Sequence, residues 1–231
     1  MWVSIDNTNI LIDPGPGSLV KILNSKPKLN PASLDAIYIS HRHIDHCNDA
    51  SIMIEAMTQG GTKKRGMLFL PADVLDEGGA IFPHTLDYLS TTPVILKENG
   101  SYTVNTITLT TPVKHIHTVD TYGCIIKNDH ISIGYIADTA YFASLAQAYP
   151  CDVLILNVVL TDNAYNIQHL SVIDAEKLIE VTTARVIVLT HFGMRLLRAK
   201  PWLVVEEMKQ KYHKEIIAAS DGMRYELGTG D

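Results

Sequence analysis

Short apolar segments recur along the chain, and most of them have the length and alternation of β-strands. Alternating apolar and polar residues are typical of a strand buried on one face, and a short continuous apolar run is typical of a strand buried on both faces. We predict strands at residues 2–6, 9–12, 34–39, 67–70, 94–96, 102–104, 107–111, 123–126, 131–136, 153–159, 186–189 and 215–219. Asn7 and Thr8 are predicted to form the turn of an N-terminal hairpin.

Helical patterns lie between these strands. We predict helices at residues 49–57, 141–148, 174–180 and 204–212, and a further helix that begins at Ser18. Ser18 and Ser171 are predicted N-caps, because a serine hydroxyl can accept a hydrogen bond from the first helical turn. Pro150 and the pair Gly60 and Gly61 would end two of the helices. Strand-rich halves that each close with helices indicate an α/β or α+β protein with layered sheets.

The composition is that of an ordinary globular protein. With 231 residues, 46% of them apolar, the chain can bury a large core, and we predict one domain over residues 1–231. A formal net charge of -6 gives no support for binding nucleic acid through its phosphates. No secretory signal is visible, and no apolar run approaches the roughly 18 residues that cross a membrane. Three cysteines without CxxC spacing suggest a reducing compartment, so we expect a cytoplasmic protein.

The most informative segment is a histidine-rich motif that follows the predicted strand at residues 34–39. His41, His43, Asp45 and His46 form the pattern His-x-His-x-Asp-His. Two imidazoles two residues apart can reach one metal ion, and the following carboxylate and imidazole can turn towards a second ion. This pattern would arise by chance with odds of roughly one in a thousand. The motif therefore predicts a metal site rather than a polar loop that happens to contain histidine.

Four side chains cannot complete two metal sites, so further ligands are expected at the ends of other strands. His117, Asp138 and His191 each follow an apolar segment. Taken alone, each would be more typical of a cap or a surface residue. Together with the motif, they supply the imidazole and carboxylate groups that zinc accepts at neutral pH.

In these segments the sequence resembles the metallo-β-lactamase superfamily, over nearly the whole chain. The resemblance rests on Asp13 in Ile-Asp-Pro-Gly, on the segment from Ser40 to His46, on His117, on Asp138 and on His191 in Thr-His-Phe-Gly. It implies a four-layer αββα sandwich, with two mixed β-sheets face to face, helices outside and metal ions at one edge. The superfamily usually opens with a strand before the segment that begins here at Trp2. We therefore expect either a start farther upstream or a shortened sheet edge.

The resemblance also implies how two divalent metal ions share the ligands. One ion takes His41, His43 and His117, and the other takes Asp45, His46 and His191. Asp138 bridges both ions. Zn²⁺ is the expected metal, and Mn²⁺ or Fe are the alternatives.

His115 and Asp13 need separate interpretation. The segment from His117 to Gly123 resembles the corresponding segment of tRNA 3′-processing endonucleases, in which the ligand precedes the glycine by six residues. That spacing selects His117 over His115. The resemblance makes Asp13 a group behind the ligands that orients the metal loop. An ordinary turn aspartate is the alternative.

His169 lies in a segment that resembles one with an additional active-site histidine in the endonuclease and cyclic-phosphodiesterase branches. It would donate a proton or bind phosphate. The alternative is a surface histidine that precedes the helix cap at Ser171. Asn157 stands where some endonucleases have glutamate, which puts the proton relay of that branch in doubt. Cys47, beside the motif, is expected to point past the site.

The expected function is that of a metal-dependent hydrolase, in which hydroxide formed at a binuclear zinc site attacks a small or cyclic phosphodiester. Asp45 would orient the hydroxide, and His169 would protonate the leaving oxygen. The alternative is a thioester or lactone hydrolase similar to glyoxalase II, and a di-iron redox protein is less favoured. The expected partner is a small-molecule substrate, with no membrane. Nucleic acid is not favoured, and a homodimer remains open.

Overall fold

Two β-sheets form the centre of the computed structural model, which describes residues 1–76, 78–164 and 166–227. The first sheet has the order β1-β2-β3-β4-β5, with strands β1 (Trp2–Ile5), β2 (Thr8–Ile12), β3 (Ala36–Tyr38), β4 (Met67–Leu70) and β5 (Val94–Ile95). The strands that follow are β6 (Gly100–Val104), β7 (Ile107–Thr111), β8 (Cys124–Lys127), β9 (Ser132–Ile136), β10 (Val153–Leu160), β11 (Leu170–Ser171), β12 (Val186–Thr190) and β13 (Glu215–Ala218). They form a second sheet of order β13-β12-β10-β9-β8-β7-β6, with β11 paired to β10.

Helices cover the outer faces of both sheets. They are α1 (Ser18–Leu23), α2 (Ile44–Cys47), α3 (Ala50–Thr58), α4 (Pro83–Leu86), α5 (Leu145–Ala148), α6 (Val172–Val181), α7 (Met194–Arg198) and α8 (Pro201–Tyr212). Two short 3₁₀ turns lie at Pro31–Ser33 and Ala72–Leu75. Among the described residues, none of these helices combines the length and the apolarity needed to cross a membrane.

Three apolar layers account for the alternation along the strands. Between the sheets, inward-facing residues of both meet, including Ile10, Tyr38 and Leu109. The alternate residues along the strands of the first sheet, such as Leu11, face outward and pack under α1 and α3. Outward residues of the second sheet, such as Leu154, pack under α5, α6 and α8. This arrangement is the αββα sandwich expected from the sequence, and the predicted fold class is confirmed.

Strand direction places the predicted ligands at one edge. In the first sheet β2, β3, β4 and β5 are parallel, and in the second β9, β10, β12 and β13 are parallel. The carboxyl ends of parallel strands lie at the same edge of a sheet, so the segments that follow them meet there. These segments contain Asp13 after β2, His41 after β3, Asp138 after β9 and His191 after β12.

Some local predictions were wrong, each for an identifiable reason. The hairpin turn lies at Asp6 and Asn7 rather than one residue later, because both adopt the positive φ values, 48° and 64°, that a tight two-residue turn requires. Ser18 is not a cap, since its hydroxyl donates to the Gly15 carbonyl. The helix predicted at residues 141–148 is limited to α5, because Tyr141 and Phe142 pack on the core from a loop.

The predicted cap at Ser171 is confirmed and is more extensive than expected. Its hydroxyl accepts a hydrogen bond from the Asp174 amide, and the Asp174 carboxylate accepts one from the Ser171 amide, which completes a capping box. Because β11 ends at Ser171, this cap fixes the start of α6 directly after the segment that contains His169.

Gly15 allows the loop after β2 to lie against the predicted metal loop. A Cβ atom at Gly15 would lie 1.9 Å from the backbone oxygen of Asp45. The Asp49 amide also donates to the Pro14 carbonyl at 2.8 Å. The absence of a side chain at residue 15 therefore keeps two site segments in contact.

We expect Gly15→Ala to destabilise the protein by about 1–3 kcal/mol, as overpacking does, and to weaken zinc binding because Asp45 must move. Denaturant unfolding and zinc titration would measure the two effects. Gly17→Ala is the matched control, because Gly17 has a φ of 85° and a Cβ atom added there would meet no other atom within 4 Å. The control should lose stability through backbone strain but keep its zinc affinity. Equal zinc affinity in both variants would contradict the proposed contact.

Candidate metal centre

All seven side chains predicted as metal ligands lie in one cluster. Their donor atoms fall into overlapping groups in which every pair of atoms is within 4.8 Å. The groups are His41, His43 and His117; His41, His46 and Asp138; and Asp45, His46 and His191, and a fourth group joins His117 and Asp138 to His169. The two predicted sets of three are therefore adjacent, and Asp138 lies between them.

In the first set, hydrogen bonds determine which ring nitrogens are free. The Nδ1 atom of His117 lies 2.9 Å from the Gln168 carbonyl oxygen, which can only accept a hydrogen bond. Nδ1 therefore carries the proton, and the unprotonated Nε2 lies 3.1 Å from Nδ1 of His43. Nδ1 of His41 lies 2.9 Å from Oγ of Ser40, while its buried Nε2 has no hydrogen-bond partner within the described chain.

In the second set, two imidazoles and a carboxylate face one another. The Nε2 atoms of His46 and His191 are 2.9 Å apart, and Oδ2 of Asp45 lies 3.3 Å from Nε2 of His191. Nδ1 of His46 donates to Oδ2 of Asp13 at 2.9 Å, so Nε2 of His46 also presents a lone pair. Two lone pairs at this distance repel each other unless a proton or a cation lies between them.

Asp138 connects the two sets. Its Oδ2 atom lies 3.7 Å from Nε2 of His41 and 3.5 Å from Nε2 of His46. Its Oδ1 atom lies 3.9 Å from Nε2 of His191. The side chain is only 2% exposed, so its charge must be compensated inside the protein.

These distances fit divalent metal ions. Tetrahedral zinc with nitrogen ligands at about 2.0–2.1 Å separates those ligands by about 3.3 Å. The measured separations of 2.9 Å and 3.1 Å between ring nitrogens are close to that value. The unpartnered Nε2 of His41 is a further indication, because a buried lone pair without a partner is costly.

The electrostatics of the cluster also favour cations. Burial, together with nearby His46, lowers the pKa of His41 to about 3, so this imidazole is neutral at neutral pH. Burial also lowers the pKa of His46, but the carboxylates of Asp13 and Asp138 outweigh that effect and raise it to about 10. A site that holds a proton so strongly has a negative potential that a metal ion would satisfy instead.

Asp13 lies behind the predicted ligands and contacts one of them directly. Its Oδ1 accepts from the Ser40 amide at 2.7 Å, and its Oδ2 accepts from the Ser40 hydroxyl at 2.7 Å and from His46 at 2.9 Å. Burial raises its pKa, but His46 and the other donors outweigh that effect and lower it to about 2. Because the Ser40 hydroxyl donates to Asp13, it accepts from Nδ1 of His41, which leaves Nε2 of His41 unprotonated.

Of the other three residues considered near the site, His169 lies in the cluster, whereas His115 and Cys47 do not. His169 joins the cluster, with its Nδ1 3.5 Å from Oδ2 of Asp138, and burial lowers its pKa. His115 points away and lies 2.8 Å from the Tyr149 hydroxyl through Nε2. Cys47 donates to the backbone oxygens of Arg42 and His43 and does not join the ligand groups.

Two residues of the site were not assigned a role from sequence. The Tyr135 hydroxyl donates to Oδ2 of Asp13 at 2.6 Å, and Nδ2 of Asn157 donates to Oδ1 of Asp138 at 2.8 Å. For Tyr135 the sequence signal was its position in a predicted strand, and for Asn157 it was a polar residue within the otherwise apolar segment 153–159, at a position where some endonucleases have glutamate.

Comparisons with known proteins identify the family of this chain. A family model described as beta-lactamase superfamily domain matches residues 8–192. The uncharacterized protein MJ1374 of Methanocaldococcus jannaschii is 29% identical over 228 residues, covering 95% of this chain and 83% of that protein. Mitochondrial ribonuclease Z 2 of Schizosaccharomyces pombe is 26% identical over 256 residues, covering 97% of this chain but only 35% of its own length.

A solved structure shows the same fold. The metallo-β-lactamase fold protein YhfI from Bacillus subtilis superimposes with a TM-score of 0.77 at 21% identity, covering 96% of this chain and 88% of that chain. The family model spans most of the sequence and includes every residue of the metal centre. The chain therefore belongs to the metallo-β-lactamase superfamily.

Proposed function

We propose that this protein is a phosphodiesterase that cleaves a small or cyclic phosphodiester at a binuclear zinc site. The observation that carries the proposal is the position of His169, whose Nδ1 lies 3.5 Å from the carboxylate shared by the two ligand sets. A proton donor there is suited to a reaction with a basic leaving oxygen. The similarity to ribonuclease Z 2 also supports the proposal, because a ribonuclease cleaves phosphodiester bonds.

The proposed metal ligands follow the two sets. His41, His43 and His117 would hold one ion, Asp45, His46 and His191 the other, and Asp138 both. Nitrogen and carboxylate ligands of this kind suit Zn²⁺, and Mn²⁺ or Fe accept the same donors. When bound, such ions acidify water and stabilise negative charge in the transition state.

Asp45 is the ligand carboxylate that water can reach. Its side chain is 57% exposed, whereas that of Asp138 is 2% exposed. A hydrogen bond from His191 outweighs burial and lowers the pKa of Asp45, so the group is ionised at neutral pH and accepts hydrogen bonds. We assign Asp45 the role of orienting the attacking water.

His169 is assigned to protonate the leaving oxygen. Its side chain is 21% exposed, so one part reaches solvent or substrate while Nδ1 faces Asp138. Asn157 does not support a relay to His169, because its amide is directed at Asp138 and Tyr135. The proton would therefore come from His169 itself, without a relay from an acidic residue at position 157.

An assay panel tests the reaction type. We expect the zinc-loaded protein to hydrolyse bis(p-nitrophenyl) phosphate faster than a thioester or a lactone, with activity lost on chelation and restored by zinc. Turnover restricted to the thioester or lactone would instead assign the protein to the glyoxalase II-like alternative. Metal analysis of the purified protein, with its colour, would distinguish zinc from a di-iron centre.

Asp138→Ala tests the shared ligand. We expect bound zinc to fall from two ions per chain towards none, because both sets lose a ligand and each retains only three. Metal analysis after dialysis would measure this. Asp129→Ala, at an exposed position in the turn between β8 and β9, is the control and should keep both ions. Two tightly bound ions in Asp138→Ala would show that the bridging assignment is wrong.

His169→Ala tests the proton donor. We expect both metal ions to remain and kcat to fall by about 10²–10⁴-fold on a diester with a poor leaving group. A p-nitrophenyl diester should lose much less, because its leaving group needs little protonation. His130→Ala, an exposed histidine outside the site, should change neither rate. Equal losses on both substrates would favour substrate binding by His169, and no loss would remove it from the reaction.

A further inference from the structure

Asn157 is the one polar residue in β10, whose other residues are all aliphatic. It is 2% exposed, and its backbone lies opposite Thr190 in the parallel pairing with β12. A buried amide without partners would cost roughly 1–3 kcal/mol. The partners of this side chain therefore indicate why a polar group is kept in an apolar strand.

Both amide protons of Asn157 have defined acceptors. Nδ2 lies 2.8 Å from Oδ1 of Asp138 and 3.2 Å from the Tyr135 hydroxyl oxygen. The Tyr135 hydroxyl in turn lies 2.6 Å from Oδ2 of Asp13. Ionised carboxylates only accept hydrogen bonds, so the direction of each bond is fixed, from Asn157 to Tyr135 to Asp13 and from Asn157 to Asp138.

These bonds make the two oxygens of Asp138 unequal. Oδ1 is held by the amide of Asn157, whereas Oδ2 lies 3.5–3.7 Å from nitrogens of His41, His46 and His169. Turning the carboxylate plane about the Cβ–Cγ bond would take this oxygen out of reach of the Asn157 amide, and only a half-turn that exchanges the two equivalent oxygens would restore the bond. The amide therefore fixes the plane of the carboxylate and keeps its other oxygen among the nitrogens of His41, His46 and His169.

The same chain of bonds reaches ligands of both sets. Asp13, which accepts from Tyr135, also accepts from His46 and from Ser40, and Ser40 accepts from His41. His41 belongs to the first set and His46 to the second. One buried network thus connects the shared carboxylate with a histidine from each set.

We propose that Asn157 is a positioning residue that fixes the plane of the Asp138 carboxylate, with the oxygen not bound to Asn157 directed towards both metal sites, and that Tyr135 couples this carboxylate to Asp13. The inference rests on the proposed binuclear site and extends it to two residues that are not metal ligands themselves. Partners of this kind typically change metal affinity by about 10–100-fold when they are removed.

The test compares zinc binding in Asn157→Leu and in the wild type. Leucine has a similar shape but no donor, and we expect zinc affinity, measured by competition with a chromophoric chelator, to fall by about 10–100-fold. The absorption spectrum of the Co²⁺-loaded variant should also change, because the orientation of a ligand oxygen changes. Asn157→Asp should be at least as impaired, since a carboxylate cannot donate to Asp138 and repels it.

Thr58→Val is the control for loss of a buried polar group. Thr58 is fully buried in α3, and its hydroxyl donates to the Ile54 carbonyl far from the cluster. This variant should lose stability but keep the wild-type zinc affinity and Co²⁺ spectrum. If Thr58→Val lost zinc affinity to the same extent, the loss in Asn157→Leu would be explained by general destabilisation, and the proposal would be overturned.

Tyr135→Phe keeps the proposal testable if Asn157→Leu fails to fold, because it removes a single hydroxyl. We expect a smaller loss of zinc affinity, of several-fold, and an altered Co²⁺ spectrum. Wild-type affinity and spectrum in Tyr135→Phe, or in a folded Asn157→Leu, would overturn the positioning role while leaving the binuclear site intact. A wild-type protein that binds no zinc would instead overturn the proposed function itself.

Discussion

A buried carboxylate joins the two sheets at the edge where the ligands meet. Asp13 follows β2 of the first sheet and accepts hydrogen bonds from Ser40, which follows β3, and from Tyr135, which lies on β9 of the second sheet. It also accepts from His46, a proposed ligand. Charge-assisted hydrogen bonds are stronger than neutral ones, and losing any of them would leave a charge poorly satisfied in the interior. The relative position of the two sheets and the orientation of the histidines therefore depend on the same group.

Hydrogen bonds from the protein itself hold the ligand side chains close together. Four donor groups from three residues hold Asp13, Asn157 holds Asp138, and the Gln168 carbonyl holds His117. Asp138 and the rings of His41, His46 and His117 each have one atom directed by the protein and another left for the centre of the cluster. The cost of ordering these ligands is met by folding, so little ordering remains when an ion binds.

The sequence predicted the parts of the site that are local in the chain. The motif from His41 to His46 carries its own spacing. Asp138 and His191 could be found because each follows an apolar segment, and the family resemblance selected His117 over His115. Parallel strands then bring those ends together, which is a property of the fold class. Asn157 and Tyr135 could not be assigned in this way. Their contact depends on the pairing of β9 with β10, in which Tyr135 lies opposite Ile155, and on the distance of a hydroxyl from the other sheet.

The short strand β11 has a consequence for how this protein can diversify. Leu170 pairs with Val158, so the chain leaves β10 and returns to it within one loop, and the Gln168 carbonyl anchors the returning end to His117. Both ends of the loop are held by the framework, whatever the sequence between them. Doubling the length of such a loop costs only about 0.6 kcal/mol in closure entropy. Insertions or substitutions between Leu160 and Gln168 can therefore change the residues that surround a substrate while the histidine cluster keeps its geometry.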